Sequence, residues 1–329
     1  MNSNEKLLVI GGAGYIGSHI VLNALERGYE TTIFDDLSTG TKKNINYDAN
    51  FVQGSTLSVS DLSELFKKDK YDYVIHLAAS KASGESMLHP SKYATNNIIG
   101  SLNLINFCAN HKVKSFIFSS SAAVYGIPEY NPIDESHSLR PTNYYGYTKL
   151  VIENNLKWFF KLKKMRFATL RYFNAAGYDI KKRIMGLEKN PQNLIPIVME
   201  AAVGLRKKID IFGNDYLTKD GTCVRDYIHV SDLTSAHLGA IDYIKREKKN
   251  LTINLGSGRG HSVLDIVKKV QEICNVSIRY DFKKRRFGDS DLMIANSELA
   301  KKLMHWEAKY SDSDTIIKST WSVYKSSKF

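Results

Sequence analysis

Short apolar runs that end on a glycine or an acid alternate, along the first half of this chain, with stretches of helical spacing. KLLVI (6–10) runs straight into glycines, as a parallel strand buried on both faces would. From Tyr15, YIGSHIVLNALERG has helical spacing and closes on Gly28 as a C-cap. TTIFD (31–35) and FVQGS (51–55) read as the second and third strands. DLSELFKK (61–68) reads as a helix with Asp61 as N-cap and Glu64 three residues on. YVIHLAA (73–79) is the next strand, followed by a long helix near 92–111 and the strand SFIFSSS (115–121). A helix from about Thr142 to Lys164 and the strand FATLRYFN (167–174) complete the series. This rhythm predicts an α/β fold class with a doubly wound parallel Rossmann sheet.

Past Asn174 the rhythm changes. Residues 178–196 hold Gly186, Pro191 and Pro196 among polar residues, which suggests a long functional loop. DYIHVSDLTSAHLGAIDYI (226–244) reads as a strand edge and a helix, and LTINLGSG (251–258) as a strand. The expected division is a Rossmann domain over 1–177, with 226–258 returning to it, and a smaller mixed α/β C-terminal domain over 178–329.

Composition narrows the class. With 329 residues, 43% hydrophobic and 11% aromatic, the chain has an ordinary globular composition and length for a sizeable core. No apolar run reaches 18 residues, so no membrane span is expected. The start goes directly into a strand and a glycine turn, without the apolar region of a signal peptide, so a cytoplasmic location is expected. Cys108, Cys223 and Cys274 lie far apart without a CxxC pair, which argues against a disulfide framework or a metal site. The net charge of +12 comes from basic residues scattered over 161–166, 181–183, 206–208, 245–249 and 283–286. They read as a lysine-rich solvated surface, not as the continuous stripe of a nucleic-acid binder.

The chemistry begins at Gly11, Gly14 and Gly17, a GxxGxxG between strand and helix. The first permits a tight turn, the second lets backbone approach a diphosphate, and the third allows close packing of helix on sheet. Tyr15 and Ile16 fall in the helix's first turn, where a diphosphate would sit. Asp35 and Asp36 close the second strand, where an acid accepts hydrogen bonds from an adenosine ribose and repels a 2′-phosphate. That favours NAD over NADP. Ser121 closes an apolar strand, and Tyr145 and Lys149, in YYGYTK (144–149), share one helix face. A phenol held near an ammonium can take a hydroxyl proton while a nicotinamide takes hydride. Ser121 can donate to the same oxygen.

These segments, with HLAASKASGES (76–86), FSSSAAVYG (118–126), LRYFNAAG (170–177), IFGNDYLTKDGTCVRDYIHVSDL (211–233) and NLGSG (254–258), resemble the UDP-glucose 4-epimerase family of extended short-chain dehydrogenase/reductases. The resemblance covers nearly the whole chain. It implies reversible 4-epimerisation of UDP-glucose and UDP-galactose through a 4-keto sugar, with NAD bound throughout. Tyr145 then matches the base, Ser121 its hydroxyl helper and Lys149 the cofactor-orienting lysine. Lys81, Asn97, Tyr172 and Phe173 match residues around the nicotinamide. Asn174, Asn193, Leu194, Phe212, Arg225, Arg286 and Asp289 fall where the family grips the UDP-sugar. The two arginines suit a diphosphate because a guanidinium pairs bidentately with phosphate oxygens. The resemblance also implies a homodimer through the helices near 92–111 and 145–164.

The chain departs from the family at two places, Gly54-Ser55 and the stretch after Asp289, which reads SDLMIAN where members carry a proline. Where members carry a Gly-Asp pair that contacts adenine, it has Gly54-Ser55. The position that gates the sugar's N-acetyl group falls near Met293, whose flexible, intermediate side chain leaves UDP-N-acetylhexosamines open as substrates. A 4,6-dehydratase would need an acid beside Ser121, where the sequence reads Ser-Ser-Ser-Ala-Ala. A nicotinamide-releasing reductase or a non-enzymatic NAD sensor fits less well, because Asp35 and the full trio are present.

Overall fold

The computed structural model describes residues 5–286 and 288–327. Its strands are β1 (Lys6–Ile10), β2 (Glu30–Asp35), β3 (Asn50–Gln53), β4 (Tyr73–His76), β5 (Ser115–Ser121), β6 (Arg166–Tyr172), β7 (Asn174–Ala176), β8 (Ile209–Phe212), β9 (Val224–His229), β10 (Leu251–Leu255), β11 (Gly260–Ser262), β12 (Tyr280–Lys283) and β13 (Leu292–Met293). The helices are α1 (Tyr15–Glu26), α2 (Val59–Lys68), α3 (Ser83–Leu88), α4 (Pro90–Tyr93), α5 (Gly100–Asn110), α6 (Tyr144–Lys163), α7 (Leu194–Ala202), α8 (Val230–Glu247), α9 (Val263–Cys274), α10 (Glu298–Met304) and α11 (Ser313–Ser326). A π-helical stretch, Ala94–Ile99, joins α4 to α5.

Seven strands form one parallel sheet in the order β10-β6-β5-β4-β1-β2-β3. The strand order reverses between β1 and β4, which is where doubly wound sheets bind ligands at their carboxyl ends. Along β1, Leu7 and Val9 face a core that includes Ile20 and Val21 of α1 and Leu238 and Ile241 of α8. Leu8 and Ile10 face the opposite core, with Leu62 of α2, Leu104 of α5 and Ile152 of α6. An unbroken apolar run is the sequence of a strand covered on both faces. Each fully buried aliphatic side chain there contributes about 1.5–3 kcal/mol of transfer free energy.

The second half of the chain returns to this sheet twice. β10 pairs with β6 in parallel register, and Ala300 and Trp306 join the core of the α1–α8 face. The remainder forms a smaller unit. In it β9 pairs antiparallel with β11, and in parallel with β13 along one stretch and β7 along another. β8 and β12 form a separate parallel pair. Its core gathers Ile195, Val198 and Met199 of α7, Val267 and Val270 of α9, and Ile317 and Val323 of α11.

Four boundaries differ from the sequence reading. α2 starts earlier, because Ser58, not Asp61, is its N-cap; the Ser58 hydroxyl accepts from the Asp61 amide at 3.1 Å. The run 167–174 splits after Tyr172, and Asn174 begins a strand that pairs with β9 instead of the main sheet. The third and fourth strands stop at Gln53 and His76, so Gly54-Ser55 and the residues after His76 are loop. No helix among the described residues is long and apolar enough to cross a membrane. No group of three His, Cys, Asp or Glu among them could hold a metal.

Candidate active site

The carboxyl ends of β1, β2, β5 and β6 deliver Gly11, Asp35, Ser121 and Tyr172 to one edge of the sheet. Gly11 has φ +81°, and a Cβ there would lie 2.9 Å from the Ala78 amide nitrogen. A Cβ on Gly17 would lie 2.1 Å from the Gly11 carbonyl oxygen, so only glycine lets α1 approach the strand this closely. Gly14 caps α1 without a side-chain hydrogen bond, and the first turn carries no acid. The amides of that turn, including those of Tyr15 and Ile16, are therefore suited to an anion. The Asp35 carboxylate accepts from the Ala13 amide at 2.9 Å and the Leu37 amide at 2.8 Å, which ties the glycine turn to the end of β2. Asp36 is exposed and accepts from the Ser38 amide at 2.9 Å. An uncapped helix end behind a glycine turn, facing a buried acid on the next strand, fits a dinucleotide.

The catalytic helix is set by its own caps. Asn143 accepts from the Gly146 amide at 2.9 Å, and the Ser86 hydroxyl accepts from the Tyr145 amide at 3.0 Å. Tyr145, Lys149 and Glu153 then follow one another on a buried face of α6. The Lys149 ammonium donates to the Ser119 carbonyl at 2.8 Å and lies 4.9 Å from the Phe118 ring centre and 5.8 Å from that of Tyr145. Ser121 begins a short turn, its oxygen accepting from the Ala123 amide at 3.2 Å. Burial pushes the Tyr145 phenol up to about 12, opposed by its hydrogen bond with Ser121. Burial also pushes Lys149 down to about 7, opposed by the Glu153 carboxylate. The sequence reading had the ammonium and a bound nicotinamide together favouring the phenolate; in the protein alone burial is the larger influence on the phenol.

Around the trio, Asn97 is buried. It accepts from the Ser80 amide at 2.8 Å and donates to the Ser80 carbonyl at 2.9 Å and the Thr148 hydroxyl at 3.1 Å. Its amide clamps the loop after β4 to α6. Lys81, in that loop, forms an ion pair with Glu188 of the long loop before α7. Ser55 places its amide on the Asp61 carboxylate at 3.0 Å. The Tyr15 ring turns away from the glycine turn, and its hydroxyl donates to the Gly177 carbonyl. Tyr172 has its phenol raised by burial. Phe173 is buried in a small cluster with Tyr125 and Ile133, against which Met293 packs.

A second group forms where β9 and β13 meet, with Met293 in register opposite Arg225. One nitrogen of the Arg225 guanidinium donates to the carbonyls of Val224 at 2.9 Å and Ser290 at 2.8 Å, and another lies 3.8 Å from the Asp289 carboxylate. Arg286 pairs with Asp289 at 2.9 Å and lies 5.0 Å over the Phe212 ring. The Thr142 hydroxyl reaches the Gly288 carbonyl at 3.4 Å, which joins this arginine loop to the start of the catalytic helix. Asn174 donates to the Asp226 carbonyl at 2.8 Å. Asn193 is the N-cap of α7, and Leu194 is its first residue.

Four residues behind the trio were missed by sequence reasoning. Glu153 accepts from Arg171 at 3.0 and 2.6 Å and from the Ser120 hydroxyl at 2.6 Å, all fully buried. Arg171 also donates to Tyr125 at 3.0 Å. Glu153 was visible as the i+4 neighbour of Lys149. Arg171 and Tyr125, on other elements, carried no local signal. Ser86 was quoted in a motif but without its role at the Tyr145 amide.

A glycine-capped α1, an acid ending β2 and a Tyr-x-x-x-Lys helix facing the same sheet edge define an extended short-chain dehydrogenase/reductase. The chain belongs to the NAD dependent epimerase/dehydratase family, whose pattern matches residues 7–256. It is 41% identical over 320 residues to a UDP-glucose 4-epimerase of Halalkalibacterium halodurans, covering 97% of this chain and 95% of that one. It superimposes on a crystal structure of UDP-glucose 4-epimerase from Brucella ovis in complex with NAD with a TM-score of 0.94, at 39% identity and covering 97% of this chain and 98% of that one. The UDP-Glc/GlcNAc 4-epimerase of Campylobacter jejuni matches with a TM-score of 0.85, at 37% identity and covering 98% and 99% of the two chains.

Proposed function

We propose that this protein interconverts UDP-glucose and UDP-galactose with NAD retained in the site. The observation that carries the reading is the join between the two groups. Arg286 and Asp289 lie on a loop that packs beside Arg225 of β9 and touches the start of the helix bearing Tyr145 and Lys149. A diphosphate on the arginines would therefore place a sugar near the phenol.

NAD, when bound, supplies a reversible hydride acceptor for the sugar C4. Its ribose and diphosphate would be held by Asp35 and the first turn of α1, and its nicotinamide side by Lys149, Tyr172 and Phe173. Lys81, Asn97 and Ser55 support the same groove, Asn97 by positioning the loop after β4. Tyr145 takes the proton of the C4 hydroxyl, while Ser121 donates a hydrogen bond to that oxygen. The 4-keto sugar turns with its diphosphate held by Arg225 and Arg286, so that its other face would meet the hydride, and Tyr145 returns the proton to the C4 oxygen. Asn174, Asn193, Leu194 and Phe212 line the nucleotide side. The purified protein, without added nucleotide, should convert UDP-galactose to UDP-glucose, followed by NMR of the anomeric protons. A requirement for one NAD per sugar converted would reject the reading.

We extend the substrate range to UDP-N-acetylhexosamines. Met293, flexible and of intermediate size, packs against the cluster of Phe173, and the similar Campylobacter jejuni protein is a UDP-Glc/GlcNAc 4-epimerase. UDP-N-acetylgalactosamine turnover below a thousandth of that of UDP-galactose would restrict the range to simple hexoses. We also propose a homodimer through α5 and α6, because Ile99, Trp158 and Leu162 are 50%, 57% and 68% exposed there. Light scattering during gel filtration reads the mass directly, and a monomer at all concentrations would remove that assembly. A cytoplasmic location fits three cysteines that are free and buried.

A further inference from the structure

We infer that the end of the sheet opposite the active site carries a binding site for a small, multiply phosphorylated anion. A cleft of about 320 Å³ opens there at the amino ends of β4, β5 and β6. The seven residues of β5 separate it from Ser121 by about 20 Å of strand. Segments far apart in sequence, and read separately as solvated surface, meet around it. Lys112 and Lys114 precede β5, Lys163 and Lys164 end α6, Arg166 starts β6, and Lys245 and Lys248 end α8.

Only two of these cations meet carboxylates among the described residues: Lys114 pairs with Asp72 at 2.8 Å and Lys245 with Glu5 at 2.7 Å. The Arg166 side chain is oriented by its Nε donating to the Lys248 carbonyl at 3.0 Å. Three helices also point their carboxyl ends here, but each offers only about half a negative charge. That leaves an excess of positive charge in a concave site. The Ser115 hydroxyl beneath it is buried without a hydrogen-bond partner among the described residues.

The backbone adds an independent observation. Lys112, Lys164 and Lys248 have φ of 55°, 61° and 53°, at or just past the ends of α5, α6 and α8. Glycine takes this conformation without penalty and is the usual choice at a helix end. Three lysines there accept strain that glycine would remove, and all three place their charge on one cleft. Phosphoryl groups, with several acceptor oxygens, match converging ammonium donors. The cleft's small concave volume favours a compact anion over the long backbone of a nucleic acid or a flat lipid surface.

The test is titration calorimetry of the full chain with sodium tripolyphosphate in about 0.1 M salt, with saturating UDP to occupy the arginine site. The comparison is the triple variant K112G/K164G/K248G, whose glycines suit the native backbone. The expected result is one-site binding that weakens by on the order of tenfold or more in the variant, with the melting temperature not lowered and turnover unchanged. Undetectable binding, equal affinity of the variant, or loss of binding on adding UDP would each overturn the inference. So would lysine-dependent binding of a short DNA duplex or phosphatidylglycerol vesicles tighter than that of tripolyphosphate. The site does not depend on the proposed epimerase reaction, because its readout is the lysine dependence.

Discussion

Replacing Glu153 with glutamine should unfold the catalytic helix's support more effectively than any surface change. The side chain keeps its volume but loses the charge that compensates Arg171. Both members are almost fully buried, at 1% and 3% side-chain exposure, and the guanidinium makes two hydrogen bonds to the carboxylate. Removing one partner of a buried pair leaves the other charge uncompensated and costs about 3–5 kcal/mol. At about 2.1 cal/mol/K per residue, the unfolding entropy of the 329-residue chain is roughly 0.7 kcal/mol/K. The melting temperature should therefore fall by about 4–7 °C. Replacing both, as Glu153→Leu with Arg171→Met, removes both charges at similar volume and should recover most of the loss. Differential scanning calorimetry reads all three proteins. A single variant within about 1 kcal/mol of the parent would refute the reasoning, as would a double variant no better than the single. The change also has a catalytic signature. Glu153 opposes the burial that lowers Lys149, so its loss should lower the Lys149 pKa further. If turnover requires the ammonium, the alkaline limb of the pH–rate profile moves to lower pH in Glu153→Gln.

Tyr145→Phe should keep the fold and lower kcat by about 10²–10⁴, the usual worth of a positioned acid–base group, and near-normal turnover would remove Tyr145 from the proton path. Arg286→Ala should raise KM for UDP-sugars by roughly tenfold or more with kcat little changed, since charged hydrogen bonds contribute about 1.5–3 kcal/mol; an unchanged KM would reject its diphosphate role. Acid should unfold the protein through its buried histidines. Burial lowers His19, His229 and His237 to about 4 and His76 to about 3. The unfolded chain thus binds more protons between those values and its ordinary pKa of about 6.5, so stability falls as pH drops through that window. Near pH 5 each costs about 2 kcal/mol, a total comparable to a domain's whole stability. Buried Asp35, Asp226 and Asp232 are raised and act in the opposite sense, over the window from their raised pKa values down to the ordinary carboxylate value. Circular dichroism that stays native down to pH 4 would contradict the balance.

The parallel sheet was legible because its inner strands sit between two neighbours and two helical layers, which forces unbroken apolar runs. The glycine turn was legible because Gly11 and Gly17 fill places where a Cβ would collide with backbone. The smaller unit was not. β9 divides its pairing among β11, β13 and β7, short strands without a periodicity of their own. Nor could the run 167–174 reveal its break at Phe173, since the chain stays extended through it and only the pairing partner changes. Arg225, Arg286 and Asp289 were found through resemblance. Their mutual geometry depends on a loop crossing back to Thr142, which no spacing announces.

The charge of the trio depends on what the pocket encloses as well as on the spacing of its residues, and the reason is physical. Tyr-x-x-x-Lys places an amine one helical turn from a phenol, and on an exposed helix the ammonium would favour the phenolate. Here the same face is sealed by β5, with Phe118 against the amine and the Ser119 carbonyl holding it. Enclosure disfavours both charged forms, so the phenol stands near 12 and the amine near 7. The pair is thereby poised instead of ionised. A positive charge entering the pocket would favour the phenolate and disfavour the ammonium, moving Tyr145 toward the base it must become. Lys149 is left to hold position through its bond to Ser119, with Glu153 and Arg171 as the buried counterweight that keeps its charge within reach. In the proposed reaction Tyr145 serves first as base and then as acid, so its pKa has to move with the charge the pocket encloses.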